Sequence, residues 1–246
     1  MRHKVFVIFI MGVLLSPSVA FAVRGHSSDK SILGNDDGTF KKQVFVKGGN
    51  VFLKKDGKTI QLTTEGNCRA PVFSPTGKNV IFIRKSKEIA DDLAAGDPDE
   101  NKKQYADEVW VVNFKELKPR LLASQVPSPE GRDPGKSRIQ RVCDDKMAFS
   151  PDGKSVYFLT DAWVTSCAVD AANIDGTGVR YVTDGSSLRV VMRGKYEGYL
   201  VVEKHRYFIG GGSYNFAWLV TPSGKEIGPV GEQEKAVNWD VLETVK

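Results

Sequence analysis

The sequence contains one short β-hairpin twice. Residues 147–159 read Met-Ala-Phe-Ser-Pro-Asp-Gly-Lys-Ser-Val-Tyr-Phe-Leu, and residues 71–83 read Pro-Val-Phe-Ser-Pro-Thr-Gly-Lys-Asn-Val-Ile-Phe-Ile. In each copy a strand ends at phenylalanine, a Ser-Pro-x-Gly turn follows, and a second strand rich in β-branched and aromatic residues begins. A repeated hairpin is typical of repeat architectures, so this feature limits the possible folds more than any other.

Strand and turn signals extend the hairpins into four-stranded meanders. The strands expected in three full units lie at 70–73, 79–84, 108–114 and 119–122, then at 146–149, 155–160, 167–171 and 179–183, and finally at 188–192, 199–206, 216–220 and 226–230. A meander of three strands precedes them, at 43–46, 51–54 and 59–62. Residues 236–241 are predicted to form a strand that completes this first meander.

Four-stranded units of roughly 45 residues are typical of β-propeller blades. We therefore predict an all-β fold, a β-propeller of about four four-stranded blades, with the first blade closed by the C-terminal strand. A β-sandwich with hairpin decorations is the structural alternative.

Two strings carry a family resemblance. Ala70-Pro-Val-Phe-Ser-Pro-Thr-Gly-Lys and Phe149-Ser-Pro-Asp-Gly-Lys resemble the repeats of TolB-type β-propellers, in which Pro-x-Trp/Phe-Ser-Pro-Asp-Gly-Lys precedes an Ile-x-Phe strand. A companion pattern, Asp-Gly followed by Leu-Thr, is similar at residues 56–63. The resemblance covers about residues 43–185. It implies a propeller fold, an exported location and periplasmic protein interaction, and it brings no catalytic residues.

The N-terminus has the features of a secretory signal peptide. Arg2 and Lys4 precede an uncharged apolar run at 5–15, and Ala20-Phe21-Ala22 offers small residues for cleavage after Ala22. The run is shorter than a membrane span. We predict a signal peptide at 1–22, a polar mobile lead-in at 23–42, a propeller domain at 43–246 and a periplasmic location.

The charge distribution argues against nucleic acid as a partner. The net charge is +5, and removal of residues 1–22 takes away two basic and no acidic residues, which leaves +3. The basic residues form no stripe. An acidic segment at 88–100 offers oxygen ligands of the kind calcium prefers, but its spacing matches no recognised calcium loop, so we interpret it as a solvated loop. No cofactor is expected.

Propeller geometry places the loops of interest at one end. Loops that lead into the first strand of a blade, and loops that join its second and third strands, open at the same end, whereas the Ser-Pro-x-Gly turns lie at the other. Long and aromatic loops concentrate at the first end, which predicts a binding face there. The candidate binding residues are Arg69, Asp144, Asp145, Trp163, His205 and Tyr214.

All three cysteines map to that end. In an exported protein a pair of thiols is usually oxidised. A Cys143–Cys167 bond within one blade is the first candidate, and a Cys68–Cys143 bond between blades is the alternative. No metal is expected, because a three-thiolate site would lack supporting histidine or acidic spacing.

Catalytic motifs are not evident. The sequence has no Gly-x-Ser-x-Gly, and His26 and His205 are the only histidines after residue 22. We therefore predict a non-enzymatic, monomeric binding module for an envelope protein. A small-ligand or carbohydrate sensor that uses the central channel is the alternative, and a hydrolase or lyase is the third hypothesis.

Overall fold

The computed structural model describes residues 32–34, 42–89, 105–127, 136–163 and 166–244. The predicted signal peptide, residues 23–31 and 35–41 of the predicted lead-in, and residues 90–100 of the acidic segment lie outside the described residues. Within the described residues, no helix is long and apolar enough to cross a membrane.

The described chain consists mainly of antiparallel β-sheet. Four sheets have four strands each, and the order of strands in every sheet follows the chain. The first sheet contains β1 (Ile32–Gly34), β2 (Lys42–Lys47), β3 (Asn50–Lys55) and β4 (Lys58–Gln61), and the second contains β5 (Cys68–Phe73), β6 (Asn79–Ile89), β7 (Tyr105–Asn113) and β8 (Pro119–Ala123). A two-stranded ribbon, β9 (Gln125–Pro127) with β10 (Lys136–Arg138), follows the second sheet along the chain.

The third and fourth sheets repeat the meander. The third contains β11 (Val142–Phe149), β12 (Ser155–Asp161), β13 (Cys167–Asn173) and β14 (Arg180–Asp184), and the fourth contains β15 (Arg189–Val190), β16 (Leu200–Tyr207), β17 (Ser213–Val220) and β18 (Glu226–Gly231). These strands confirm the predicted all-β class and the predicted meanders. The second and third strands of sheet two reach beyond the predicted ranges 79–84 and 108–114, since β6 continues to Ile89 and β7 begins at Tyr105.

The sheets pack face to face in chain order. Strand β6 shows the reason: Val80 and Phe82 join the core shared with the first sheet, whereas Ile81 and Ile83 join the core shared with the third. Strand β12 does the same, with Phe158 toward sheet two and Leu159 toward sheet four. Strands buried on both faces read as continuous apolar runs. None of the apolar clusters found among the described residues joins the first sheet to the fourth.

The predicted C-terminal strand is wrong. Residues 234–236 form a 3-10 turn and α1 spans Trp239–Thr244, while β1 supplies the fourth strand of the first sheet by pairing with β2. The helix begins where Asn238 accepts a hydrogen bond from the Val241 amide (3.2 Å), an N-cap that an apolar reading of this stretch overlooks. Val237 and Leu242 pack on the outer face of sheet four. Blade closure by a C-terminal strand therefore does not occur.

Candidate functional site

The two ends of the sheets differ in their loops. We call the end that carries the loops before each first strand, and between each second and third strand, the upper end. At the lower end, the serine of each repeated turn accepts a hydrogen bond from a backbone amide of the same turn. Ser74 Oγ accepts a hydrogen bond from the Asn79 amide (3.0 Å), and Ser150 Oγ accepts one from the Ser155 amide (2.9 Å). Gly153 takes the left-handed φ of +70° that this turn requires. These short turns close the hairpins at the lower end, whereas the loops at the upper end differ from one sheet to the next.

An ion cluster around one buried aspartate joins sheets two and three at the upper end. Asp107 is fully buried and accepts hydrogen bonds from Arg69 Nη1 (3.0 Å) and Nη2 (2.6 Å) and from the Val142 amide (2.8 Å). Lys85 Nζ lies 2.9 Å from the same carboxylate. Arg69 Nε donates to Asp145 at 2.7 Å. We call Arg69, Lys85, Asp107 and Asp145 the junction cluster, because it links strands of two adjacent sheets.

The pKa values of this cluster follow from opposing effects. Burial alone would raise the pKa of Asp107, but hydrogen bonds from Arg69, the Val142 amide and Lys85 outweigh it and hold the pKa below its ordinary value. Burial would likewise lower the pKa of Arg69, and the hydrogen bonds to Asp107 and Asp145 raise it instead. Both groups are therefore charged at neutral pH. A satisfied buried pair of this kind is suited to holding sheets in register.

Asp144 and Asp145 lie in a β-bulge. Strand β11 slips its register against β12 between Val142 and Met147, and the two aspartates adopt left-handed φ values of 50° and 55°. Aspartate tolerates this conformation better than most residues. The bulge turns Asp145 toward Arg69, so two predicted site residues meet here. Their partner Asp107 was not predicted.

The predicted disulfide is confirmed. Cys143 and Cys167 are bonded, with Sγ atoms 2.07 Å apart, and they tie the first strand of sheet three to its third strand. Cys68 is a free, buried thiol, and burial raises its pKa. Asp161 Oδ1 lies 3.0 Å from Cys143 Sγ. A disulfide sulfur carries no proton to donate and is a poor metal ligand, so Cys143, Asp161 and Cys167 form a close contact rather than a hydrogen bond or a metal site.

A polar cleft opens at the upper end between sheets three and four. Its volume is about 490 Å³. The lining residues come from the position before β13, the end of β14 with the loop after it, and the β16–β17 hairpin: Ser166, Asp184, Gly185, Ser186, His205, Tyr207 and Asn215. His205 Nδ1 lies 2.7 Å from Asn215 Oδ1, and the rings of His205 and Tyr207 meet edge to face at 4.9 Å. Of the predicted residues, only His205 lines this cleft.

A second ion network surrounds Asp184. Lys204 has no exposed surface and lies 2.7 Å from Asp184 and 3.0 Å from Glu226. Arg206 contacts the same two carboxylates, at 2.8 and 2.6 Å. Burial would raise the pKa of Asp184, but hydrogen bonds from Arg206 and Lys204 lower it. Two cations and two carboxylates therefore balance one another beside the cleft.

An apolar hairpin tip stands beside the cleft. Three consecutive large side chains are exposed here: Tyr207 at 76%, Phe208 at 58% and Ile209 completely. Tyr214, a predicted binding residue, packs its ring against Phe208 at 4.6 Å. We call residues 207–209 the hairpin tip. Tyr214 therefore supports the tip rather than the polar cleft.

Trp163 is half-buried in the loop after β12, where its amide donates to the Ser166 carbonyl at 3.1 Å. Residues 164–165 of this loop lie outside the described residues. The structure places Trp163 at the upper end, close in sequence to the cleft.

Comparison with known proteins assigns no family. No protein-family profile matches the chain, and no curated protein matches it. Solved structures with a similar arrangement include TolB from Acinetobacter baumannii, with 15% identity, a TM-score of 0.48, and coverage of 82% of this chain and 44% of that one. Dipeptidyl peptidase 4 from Porphyromonas gingivalis has 11% identity, a TM-score of 0.48, and coverage of 80% and 33%.

The β-propeller domain of the Trilobed protease from Pyrococcus furiosus has 13% identity, a TM-score of 0.47, and coverage of 80% of this chain and 57% of that one. This chain therefore spans less than two thirds of the length of each of these three structures.

Proposed function

We propose that this protein is an exported, non-enzymatic binding module whose upper end recognises a protein of the cell envelope. One observation carries the proposal: the hairpin tip presents three adjacent apolar side chains to solvent. Exposed apolar clusters of this kind mark interaction sites more often than isolated exposed residues do. Aromatic side chains supply much of the binding energy in protein interfaces.

The packing and hydrogen bonding of the hairpin tip support a role in binding a protein partner. Phe208 is held by the ring of Tyr214, which in turn contacts Phe216 edge to face at 5.5 Å. The Phe208 amide donates to the Gly212 carbonyl (3.1 Å), which closes the hairpin behind the tip. An apolar side chain that is already held in place loses less conformational entropy when a partner binds it.

The proposed export rests on two features. The N-terminal sequence has the composition of a signal peptide, and the Cys143–Cys167 bond is of the kind that persists in oxidising compartments. The Ser-Pro-x-Gly repeats add a resemblance to TolB-type propellers, and we propose that the four sheets act as the blades of one such propeller. Sequencing of the N-terminus of the protein purified from cells tests the export, with Val23 as the expected first residue.

The test of recognition places a photo-crosslinking side chain at Ile209 in the full chain and compares it with the same side chain at Val241. Val241 is also exposed, at 52%, but lies in α1, away from the tip. Irradiation of intact cells is expected to give a discrete protein adduct from position 209 and none from position 241. The adduct is expected to disappear when Phe208 is changed to serine. Identical adduct patterns from both positions, or no adduct from position 209, contradict the proposal.

A further inference from the structure

The polar cleft is a concave site beside the hairpin tip, but the chemistry of its lining differs from that of the tip. Its volume of about 490 Å³ lies in the range of small-molecule sites. Gly185 allows this shape: a Cβ there would lie 2.1 Å from Val202 Cγ1, so only glycine lets the loop after β14 pack directly on β16. The cleft is thus formed by the fold itself, between two sheets that share a core.

The lining offers both hydrogen-bond donors and hydrogen-bond acceptors. His205 Nδ1 donates to Asn215 Oδ1, which leaves His205 Nε2 and Asn215 Nδ2 for a ligand. Ser166 contributes a hydroxyl, and Asp184 carries further lone pairs beyond those used by Lys204 and Arg206. A ligand with several hydroxyl groups can donate to the acceptors and accept from the donors in the same pose.

Tyr207 adds an aromatic surface. Its side chain is 76% exposed, and its ring is fixed at 87° to the ring of His205. Planar polar side chains next to an exposed aromatic ring suit a ligand with one apolar face and a rim of hydroxyls. Pyranose rings have this amphipathic form.

The charge balance argues for a neutral ligand. Lys204 and Arg206 are both paired with Asp184 and Glu226, so the four charges sum to zero. An anionic ligand would have to displace these carboxylates, and a cationic ligand would have to displace the two cations. Each displacement would leave a buried or half-buried charge without its partner, which is costly.

We propose that the cleft between sheets three and four binds a neutral sugar unit, stacked on Tyr207 and hydrogen-bonded by Asn215, His205 and Asp184. This site shares Tyr207 with the hairpin tip, whereas Phe208 and Ile209, the positions used to test protein recognition, do not line it. It also differs from the groove between the first strands of sheets two, three and four, which is lined mainly by apolar residues such as Val72, Phe149 and Val190.

The test is saturation-transfer difference NMR on the full chain with four neutral disaccharides: cellobiose, lactose, mannobiose and N,N′-diacetylchitobiose. Spermidine and inositol hexakisphosphate serve as charged probes. We expect transfer to at least one of the disaccharides and none to the charged probes. Asn215→Ala and Tyr207→Ala are each expected to weaken binding about tenfold, the effect of losing one contact. Tyr105→Ala, which removes an exposed tyrosine from sheet two, is the matched control and is expected to leave binding unchanged.

Absence of transfer to all four disaccharides overturns the proposal. Binding that survives both cleft substitutions, or stronger binding of a charged probe, also overturns it. The outcome can be told apart from that of the recognition test, because Phe208 and Ile209, the positions changed in that test, do not line the cleft. Loss of the crosslink at position 209 with intact sugar binding rejects only the recognition role, and the reverse result rejects only the sugar site.

Discussion

Asp107 shows how much of the upper end depends on one buried carboxylate. It holds Arg69, Lys85 and the Val142 amide together while having no exposed surface of its own. Removing one member of a buried ion pair leaves the others uncompensated. We expect Asp107→Asn to lower the free energy of unfolding by about 3 kcal/mol, the lower end for a buried pair, because Arg69 keeps Asp145.

Urea denaturation measures this loss. Asp240→Asn, at an exposed position of α1, is the control and is expected to lower the free energy of unfolding by less than about 1 kcal/mol.

The contribution of Asp107 to the free energy of unfolding depends on pH. Because the folded-state pKa of Asp107 is lowered, its stabilisation is present above the ordinary value of 3.8 and disappears as the pH falls through the lower folded-state pKa. If Asp107→Asn and Asp240→Asn lowered the free energy of unfolding equally, Asp107 would not hold sheets two and three together.

Asp170 is a buried carboxyl with the opposite shift. Burial raises its pKa to about 7, and the hydrogen bond from Thr160 Oγ1 (2.6 Å) only partly offsets this effect. Its Oδ1 has no hydrogen-bond partner among the described residues. The folded state therefore keeps a proton that the unfolded state releases above pH 3.8. Stability falls as the pH rises from 3.8 to about 7, by on the order of 4 kcal/mol.

We expect Asp170→Asn to remove this dependence, because an amide mimics the protonated acid and does not ionise. The variant is expected to be more stable than the wild type at pH values above the raised pKa and similar to it in acid. Thermal unfolding across the pH range measures the difference. Parallel pH profiles for the two proteins would show that Asp170 does not titrate in this range.

At the scale of elements, the disulfide ties two strands of sheet three. The bonded cysteines are 24 residues apart, and closing a loop of that size stabilises a fold by about 3 kcal/mol in the chain-entropy description. We expect the double substitution Cys143→Ala with Cys167→Ala to lower the free energy of unfolding by that amount. Unfolding in urea without reductant measures it. Reductant is expected to reproduce the loss in the wild type and to leave the double variant unchanged.

Strand-level structure could largely be predicted from the sequence, because it depends on local patterns. The alternation in β2 and β3 and the Ser-Pro-x-Gly turns specify strands and register without distant partners. The Cys143–Cys167 pairing also followed, since the repeat places both residues at the same end of one sheet. The strand predicted at 236–241 was wrong because Asn238 caps a helix, so this apolar stretch is helical.

The site could be predicted less well, because its contacts are non-local. Arg69 and Asp107 are 38 residues apart, and Arg69 and Asp145 are 76 apart. One signal was available: an aspartate within an apolar strand is unusual, so Asp107 in β7 indicates a buried partner. For the cleft, Asp184 and Asn215 are ordinary polar residues in sequence, and only the packing of sheets three and four brings them together.

At the scale of the whole molecule, the C-terminal segment covers the outer face of sheet four. Leu242 is 6% exposed and packs with Val237 against Val201 and Leu219. We expect Leu242→Ala to lower the free energy of unfolding by about 2 kcal/mol, the lower end for buried leucines, since the site lies at the margin of the fold. Val241→Ala, at a position 52% exposed, is the matched control and is expected to change stability by less than about 0.5 kcal/mol.

Thermal and urea unfolding test this pair of variants. A dye that fluoresces on apolar surfaces is expected to bind Leu242→Ala more than Val241→Ala, because loosening of the helix uncovers sheet four. Indistinguishable stability and dye binding would show that the segment contributes nothing to the fold.

The order of strands within each sheet has a kinetic consequence. Every strand of the four meanders pairs with a strand adjacent to it in sequence, so each sheet is assembled from short-range contacts. Low contact order favours fast folding, and it allows one sheet to form before the residues of the next sheet have been synthesised. The chain can thus acquire its structure from the N-terminal sheet onward, with each new sheet templated by the apolar face of the one before it.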